Sequence, residues 1–468
     1  MAVVWGGIAP HPPIVVPEVG QDEIAKVAST RQALQQLALS IKEAMVDTVV
    51  ITTPHGPVFQ DAIALSLLPT VGGDFGNFGA AQVSFNLSTD LELTQAIMAA
   101  CQDLGVPTVG LDAHKASRFQ AGSRLDHGVL VPWYYLSQAG VNLPLVWVGM
   151  SLLPPEELYA FGVAVQQAAN KIGRKVAFLA SGDLSHRLIK GAPAGYHPDG
   201  ARFDAQLVEK VRHGDMEGVL QIDPVLAEKA GECGWRSIMM LIGALDGQIV
   251  APQVLSYEGP FGVGYLVAEL KPQGELPALK RLQRLRDERR QQVAVRRAKE
   301  SMFVRLARES LETYVRTGHE LPVPDDLPPE LRQRAGVFVS LKKQGQLRGC
   351  IGTTEPTQRN LAAEIIANAI SAGTRDPRFW PVQEDELGDI VYSVDVLGVP
   401  EPVVSLAELD PLRYGVIVHG PGGRSGLLLP DLAGIDTAEK QVEIAKEKAG
   451  LSPGDDVKLE RFGVKRYY

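Results

Sequence analysis

The sequence predicts an α/β N-terminal domain, a central mixed sheet flanked by helices, followed by a smaller α+β C-terminal domain. Three observations carry this. Through residues 1–272, apolar runs of strand length alternate with stretches of helical periodicity. From Ala278 to Glu300 the composition turns arginine-rich, with helix formers throughout. From Met302 onward helical and strand-like runs mix over a shorter length.

In the first region, "VVWGGIA", "DTVVITT", "LPLVWVGM" and "KVAFLAS" read as buried strands. Helical patterns lie between them, at Asp22–Met45 and Pro155–Ile172, and "GVGYLVAELKP" supplies a last strand ending at Pro272. Residues 273–301 read as a charged helical linker running into the next domain's first helix. In 302–468 a helix is followed by the loop "LPVPDDLPPELR", the strand "GVFVSLK" and then "GQLRGCIGT". The strands "DIVYSVDVLG" and "YGVIVHG" and a late helix, "TAEKQVEIAKEKAG", complete the domain.

The bulk numbers narrow the function classes. A chain of 468 residues suits two or three domains, and 45% hydrophobic residues can build sizeable cores. A net charge of −9 argues against a nucleic-acid partner, and aspartate and glutamate within the arginine-rich stretch argue against a basic arm there. Cys101, Cys233 and Cys350 are far apart with no CxxC pair, which argues against a zinc ribbon and a disulfide framework and fits a reducing compartment. No apolar run reaches the ~18 residues of a membrane helix, and the N-terminus lacks a signal-peptide pattern. The expectation is a cytoplasmic protein with a small-molecule or protein partner and no membrane; an oligomer is compatible with all of this.

Three histidines share one placement, the turn after a strand. His11 follows "VVWGGIAP", His55 follows "DTVVITTP" and His186 follows "KVAFLASGDL". Ligands of α/β sheets collect beyond the carboxyl ends of the strands, so these imidazoles can converge. Proline before His11 and His55 stiffens the backbone, as a preorganised metal-ligand turn requires. A ferrous site that activates oxygen uses two neutral imidazoles and one carboxylate. Glu232, at the head of the apolar helix Trp235–Leu245, is the candidate third ligand, with a plain helix-start charge as the alternative.

"APHPP", "TPHGP", "DHGVLVPWYYL", "SGDLSH" and "GECGWRS", in this order, resemble the class III extradiol ring-cleavage dioxygenases of the protocatechuate 4,5-dioxygenase beta-subunit type. The resemblance implies Fe(II), a catechol-like aromatic substrate and O2. It implies metal ligation by His11, His55 and Glu232, acid–base catalysis by His186, and a supporting role for His127, whose alternative is helix capping. The Memo protein shares this fold but has a cysteine in the region of the carboxylate ligand. Here Glu232 and Cys233 are neighbours; the glutamate is the expected ligand and Cys233 an expected small apolar residue. Zinc or copper is the alternative to iron. The expected activity is therefore an extradiol ring-cleavage dioxygenase. The alternative is a Memo-like metal- or peptide-binding protein without oxygenase turnover.

"QLRGCIGT", "RDPRFWPV", "RSGLLLP" and "VKRYY" resemble the AMMECR1 family, which implies a fold and no reaction. Two glycines flank Cys350, and Arg348 stands ready to lower its pKa and make a reactive thiolate. A packed strand with a buried cysteine is the alternative, and His419 could approach in space. AMMECR1-like, Memo-like and radical-SAM proteins are similar to components of one prokaryotic system, so the resemblance implies a radical-SAM protein partner.

Overall fold

A computed structural model describes residues 2–118, 124–343, 346–432 and 434–468. The chain divides into two units, Met1–Arg286 and Asp287–Tyr468. The division falls inside the arginine-rich segment, which forms a helix over Leu282–Arg297. No helix among the described residues is long and apolar enough to cross a membrane.

The first unit contains strands β1 (Val3–Ala9), β2 (Thr48–Thr53), β3 (Ile63–Ser66), β4 (Thr70–Phe75), β5 (Ala80–Ser88), β6 (Thr108–Leu111), β7 (Leu145–Gly149), β8 (Val176–Ser181), β9 (Gln248–Glu258) and β10 (Tyr265–Glu275). Eight of them form one sheet in the order β6-β3-β7-β2-β8-β1-β10-β9, while β4 and β5 pair separately. The central run β7-β2-β8-β1 is parallel; β10 and β9 continue it antiparallel, and β3 runs antiparallel to β7. The sheet is therefore mixed. β2, β7 and β8 are buried along their whole length, as strands covered on both faces must be. Successive residues feed opposite cores: Val50 and Phe178 pack into one apolar cluster, Val49, Ile51 and Leu179 into the other.

One core holds a close helix–helix contact. A Cβ at Gly162, in the helix Pro155–Ile172, would lie 2.0 Å from the Met240 carbonyl oxygen, and one at Gly243 would lie 2.0 Å from that of Tyr159. Glycine is otherwise unfavourable inside a helix, so these two are explained by backbone approach. Gly162→Ala is expected to cost about 1–3 kcal/mol or more, as overpacking does. A urea melt that leaves the midpoint unchanged would contradict this.

The second unit contains strands β11 (Val337–Lys343), β12 (Gln346–Thr353), β13 (Ile390–Leu397), β14 (Glu401–Val403), β15 (Tyr414–His419), β16 (Ser425–Leu428) and β17 (Lys458–Tyr467). Its sheet runs β12-β11-β13-β17-β15-β16, with β14 also on β17, and every pairing is antiparallel. The helices Met302–Thr317 and Leu361–Thr374 share an apolar core with β11 and β13. The helix Ala438–Lys448 packs with β15 and β16 around a smaller core.

Candidate metal centre

The carboxyl ends of β1, β2 and β8 lie side by side, because these three strands are parallel and adjacent. His11 follows β1, His55 follows β2, and Asp183 and His186 follow β8. The segment before the helix Trp235–Ala244 closes on them. A Cβ at Gly182 would lie 2.1 Å from the Gly234 Cα, so only paired glycines allow the approach. The Cys233 amide then donates to the Asp183 carbonyl at 3.2 Å.

This brings three donor side chains together. One ligand atom each from His11, His55 and Cys233 lies within 4.8 Å of the others. His11 Nε2 is 2.9 Å from His55 Nε2 and 3.7 Å from Cys233 Sγ. His11 is buried, Cys233 partly buried and His55 exposed, so the cluster opens on the His55 side. Burial above all, then the neighbouring imidazoles of His55, His127 and His186, holds the His11 pKa well below its usual value. Burial likewise lowers His55, against the opposing pull of Asp126. Both rings are thus held in the neutral form that ligates metals. Burial, then the Asp183 carboxylate, raises the Cys233 thiol well above its usual pKa. A cation in the cluster would supply the positive charge the thiolate lacks. Two imidazoles and a thiol are a donor set that suits a soft or borderline ion such as zinc or copper.

Glu232 does not join this group of donor atoms. Its Oε2 accepts the backbone N–H of Trp235 at 2.7 Å, satisfying a free donor at the start of the helix. Burial raises its pKa to about 7, against that helix-start bond and the Arg236 charge. With Cys233 turned toward His11, its neighbour is committed to the helix. This bond is the helix-start role that the sequence left open for Glu232.

His127 begins the helix His127–Gln138, and its ring stacks on that of His55 with centroids 4.0 Å apart. The cap of this helix is Asp126, which accepts from Gly128 N at 2.8 Å and Thr53 Oγ1 at 2.6 Å. Burial, then His55, lowers His127 to about 4, so it serves as a neutral wall, with Phe78 against its other side at 5.5 Å. His186 shares the electrostatic environment of His11 and His55. Burial lowers its pKa, partly offset by the backbone of Gly231. Its Nδ1 is buried and has no hydrogen-bond partner among the described residues.

Two residues of the centre were not singled out from the sequence. Asp183 accepts the His11 amide through Oδ1 at 2.9 Å, and its own amide donates to Cys233 Sγ at 3.2 Å. It therefore ties the His11 turn to the Cys233 turn. Burial raises its carboxyl to about 7. Ser181 Oγ lies 2.9 Å from His11 Nδ1. The run "SGDLSH" contains both, and their position just before the strand-end histidine was the available signal.

In the second unit the structure separates Arg348 from the thiol chemistry expected of it. Arg348 forms a two-point ion pair with Glu386, Nε to Oε1 at 3.0 Å and Nη2 to Oε2 at 2.8 Å. Burial raises the Cys350 thiol, against the Ser340 hydroxyl bond at 3.3 Å and the charge of Arg378 rather than Arg348. His419 is bonded to Glu460 at 2.8 Å. Cys350 should therefore react with iodoacetamide at pH 7 more slowly than an unperturbed thiol, and Arg348→Ala should not change that rate. Faster labelling than glutathione under the same conditions would contradict the assignment.

Comparison with known proteins follows the same two-part division. Residues 7–268 match the family model described as the catalytic LigB subunit of aromatic ring-opening dioxygenase, and residues 304–467 match the AMMECR1 model. The chain is 43% identical over 463 residues to protein CA_C1420 of Clostridium acetobutylicum, covering 98% of each chain. A Thermotoga maritima protein is 54% identical over 171 residues, 36% of this chain and 98% of that one. Among solved structures, the uncharacterized protein PH0010 of Pyrococcus horikoshii matches with 37% identity and TM-score 0.33 over 35% of this chain and 88% of its own. The uncharacterized protein JW3007 of Escherichia coli K12 matches with 13% identity and TM-score 0.41 over 57% of this chain and 99% of its own. The chain belongs to the family that joins a LigB-type, dioxygenase-like unit to an AMMECR1 unit.

Proposed function

We propose that the N-terminal unit is a metal-dependent, Memo-like centre in which His11, His55 and Cys233 hold one ion, zinc or copper in preference to ferrous iron. The observation that carries this is the position of Cys233 Sγ, 3.7 Å from His11 Nε2, while the Glu232 carboxylate caps a helix. The bound ion would supply Lewis acidity or, as copper, one-electron redox capacity. The protein's own contribution is a ligand pocket opening at His55, walled by His127. His186, which shares the electrostatic environment of His11 and His55, is the group that takes or gives a proton.

A second reading, Fe(II)-dependent extradiol cleavage of a catechol with O2, draws support from the electrostatic proximity of His186 to His11 and His55 and from the LigB match over residues 7–268. Equilibrium titration of the metal-free full-length protein with Zn(II), Cu(I) and Fe(II) separates the two. The first reading expects Zn(II) and Cu(I) to bind tightly and Fe(II) weakly, with no yellow ring-cleavage product from a catechol panel after anaerobic Fe(II) loading. Tight Fe(II) binding with product formation would favour the second. In either case His186→Gln should leave the bound metal in place. Where turnover exists, it should fall by about 10²–10⁴, the usual worth of one acid–base group. Loss of metal in that variant would make His186 a ligand instead.

A further inference from the structure

The hydrogen bonds behind His11 determine which of its ring nitrogens carries the proton, and the determinant lies one helical turn away in a proline. The helix His127–Gln138 contains Pro132. Proline has no N–H, so the carbonyl four residues earlier, that of Gly128, loses its helical donor. Ser181 supplies the missing bond, its hydroxyl donating to the Gly128 oxygen at 2.5 Å. A carbonyl only accepts, and a serine has a single proton to give. Toward His11 Nδ1, 2.9 Å away, the Ser181 oxygen is therefore an acceptor, and Nδ1 must hold the hydrogen. A neutral imidazole protonated at Nδ1 presents a lone pair at Nε2. That lone pair points into the cluster, toward His55 Nε2 at 2.9 Å and Cys233 Sγ at 3.7 Å.

The local structure is built for this chain of bonds. Ser181 is the last residue of β8, fixed opposite Ala9 of β1, two residues before His11. A Cβ at Gly128 would lie 2.3 Å from Thr53 Oγ1, so glycine allows the helix to seat its first turn against β2. Ser181 and Thr53 are both fully buried, and no competing solvent reaches the serine.

We propose that Ser181, with its proton committed by Pro132, is the positioning residue that locks His11 in the Nδ1–H tautomer and keeps Nε2 ready to ligate. A corollary concerns His55. Without metal, its Nε2 must donate to the His11 lone pair, so His55 carries its proton on Nε2 and must move it to Nδ1 or lose it when it ligates. The two histidines are unequal: His11 is preset and His55 switches.

The proposal rests on reading His11 as a ligand, and two separate readouts keep it distinct from that reading. Long-range proton–nitrogen correlation spectra of the metal-free, full-length protein with 15N-labelled histidine report the tautomers directly, His11 being assigned by its loss in His11→Ala. Wild type should show His11 as Nδ1–H and His55 as Nε2–H. Ser181→Ala should give a His11 tautomer mixture and weaken zinc binding about 10–100-fold, the usual cost of losing a ligand's supporting bond. Pro132→Ala restores a backbone donor to Gly128 and favours the helix, so it should fold even if Ser181→Ala does not. It should shift the tautomers in the same direction with a smaller loss of affinity. His11 as Nε2–H in wild type, or a pure Nδ1–H signal in both variants, overturns the proposal. The predicted tautomers in a wild type that binds no metal would support the lock and strike the ligand reading instead.

Discussion

Cys233→Ala should abolish tight metal binding by the N-terminal unit, while Glu232→Ala should leave it intact. Removing Cys233 removes the one sulfur donor from a three-donor cluster. The loss should exceed the ~10–100-fold that a missing supporting bond costs, because a coordinating atom itself is gone. Glu232→Ala acts elsewhere. It leaves the Trp235 amide without its acceptor, which costs about 0.5–2 kcal/mol as loss of a helix-start partner does. Zinc calorimetry and a melt on the same samples separate the effects. Retained zinc in Cys233→Ala together with lost zinc in Glu232→Ala would reverse the assignment and restore the carboxylate triad. Because the thiol is protonated before binding, zinc uptake should also release about one proton, read as a buffer-dependent heat.

His11→Ala should be the most damaging single change to the centre, in affinity and in stability together. His11 is 1% exposed and joins three groups: its ring reaches Ser181 and His55, and its amide is held by Asp183. Truncation removes a ligand and opens a buried space, at a few kcal/mol by analogy with other large-to-small core changes. His55→Ala should lose metal equally but cost little stability, since His55 is exposed on the open side. Equal melting temperatures for the two variants would contradict the asymmetry. Full metal occupancy in either would remove that residue from the site.

Much of this architecture was legible in the residues. "DTVVITT" and "KVAFLAS" each centre on an unbroken apolar run because both faces of β2 and β8 are covered, and the histidines after them share one edge because those strands are parallel neighbours. The choice between Glu232 and Cys233 was not legible. It depends on how the Glu232–Cys233 segment closes on β8, where Gly182 and Gly234, far apart in sequence, come into contact. The partner of Arg348 was hidden for a similar reason. Its sequence neighbour is Cys350, but a carboxylate from a distant segment, Glu386, claims the guanidinium. The roles of Ser181 and Asp183 lie in bonds to residues far away in sequence, the His11 ring and amide and the Gly128 carbonyl, for which one-dimensional spacing gives no sign.

X-ray absorption at the metal edge of the zinc-loaded, full-length protein tests the central claim most directly. The account predicts one sulfur near ~2.3 Å and two imidazole nitrogens near ~2.0–2.1 Å, with the sulfur shell absent in Cys233→Ser. A shell of nitrogen and oxygen alone in wild type, lost in Glu232→Ala, would contradict it.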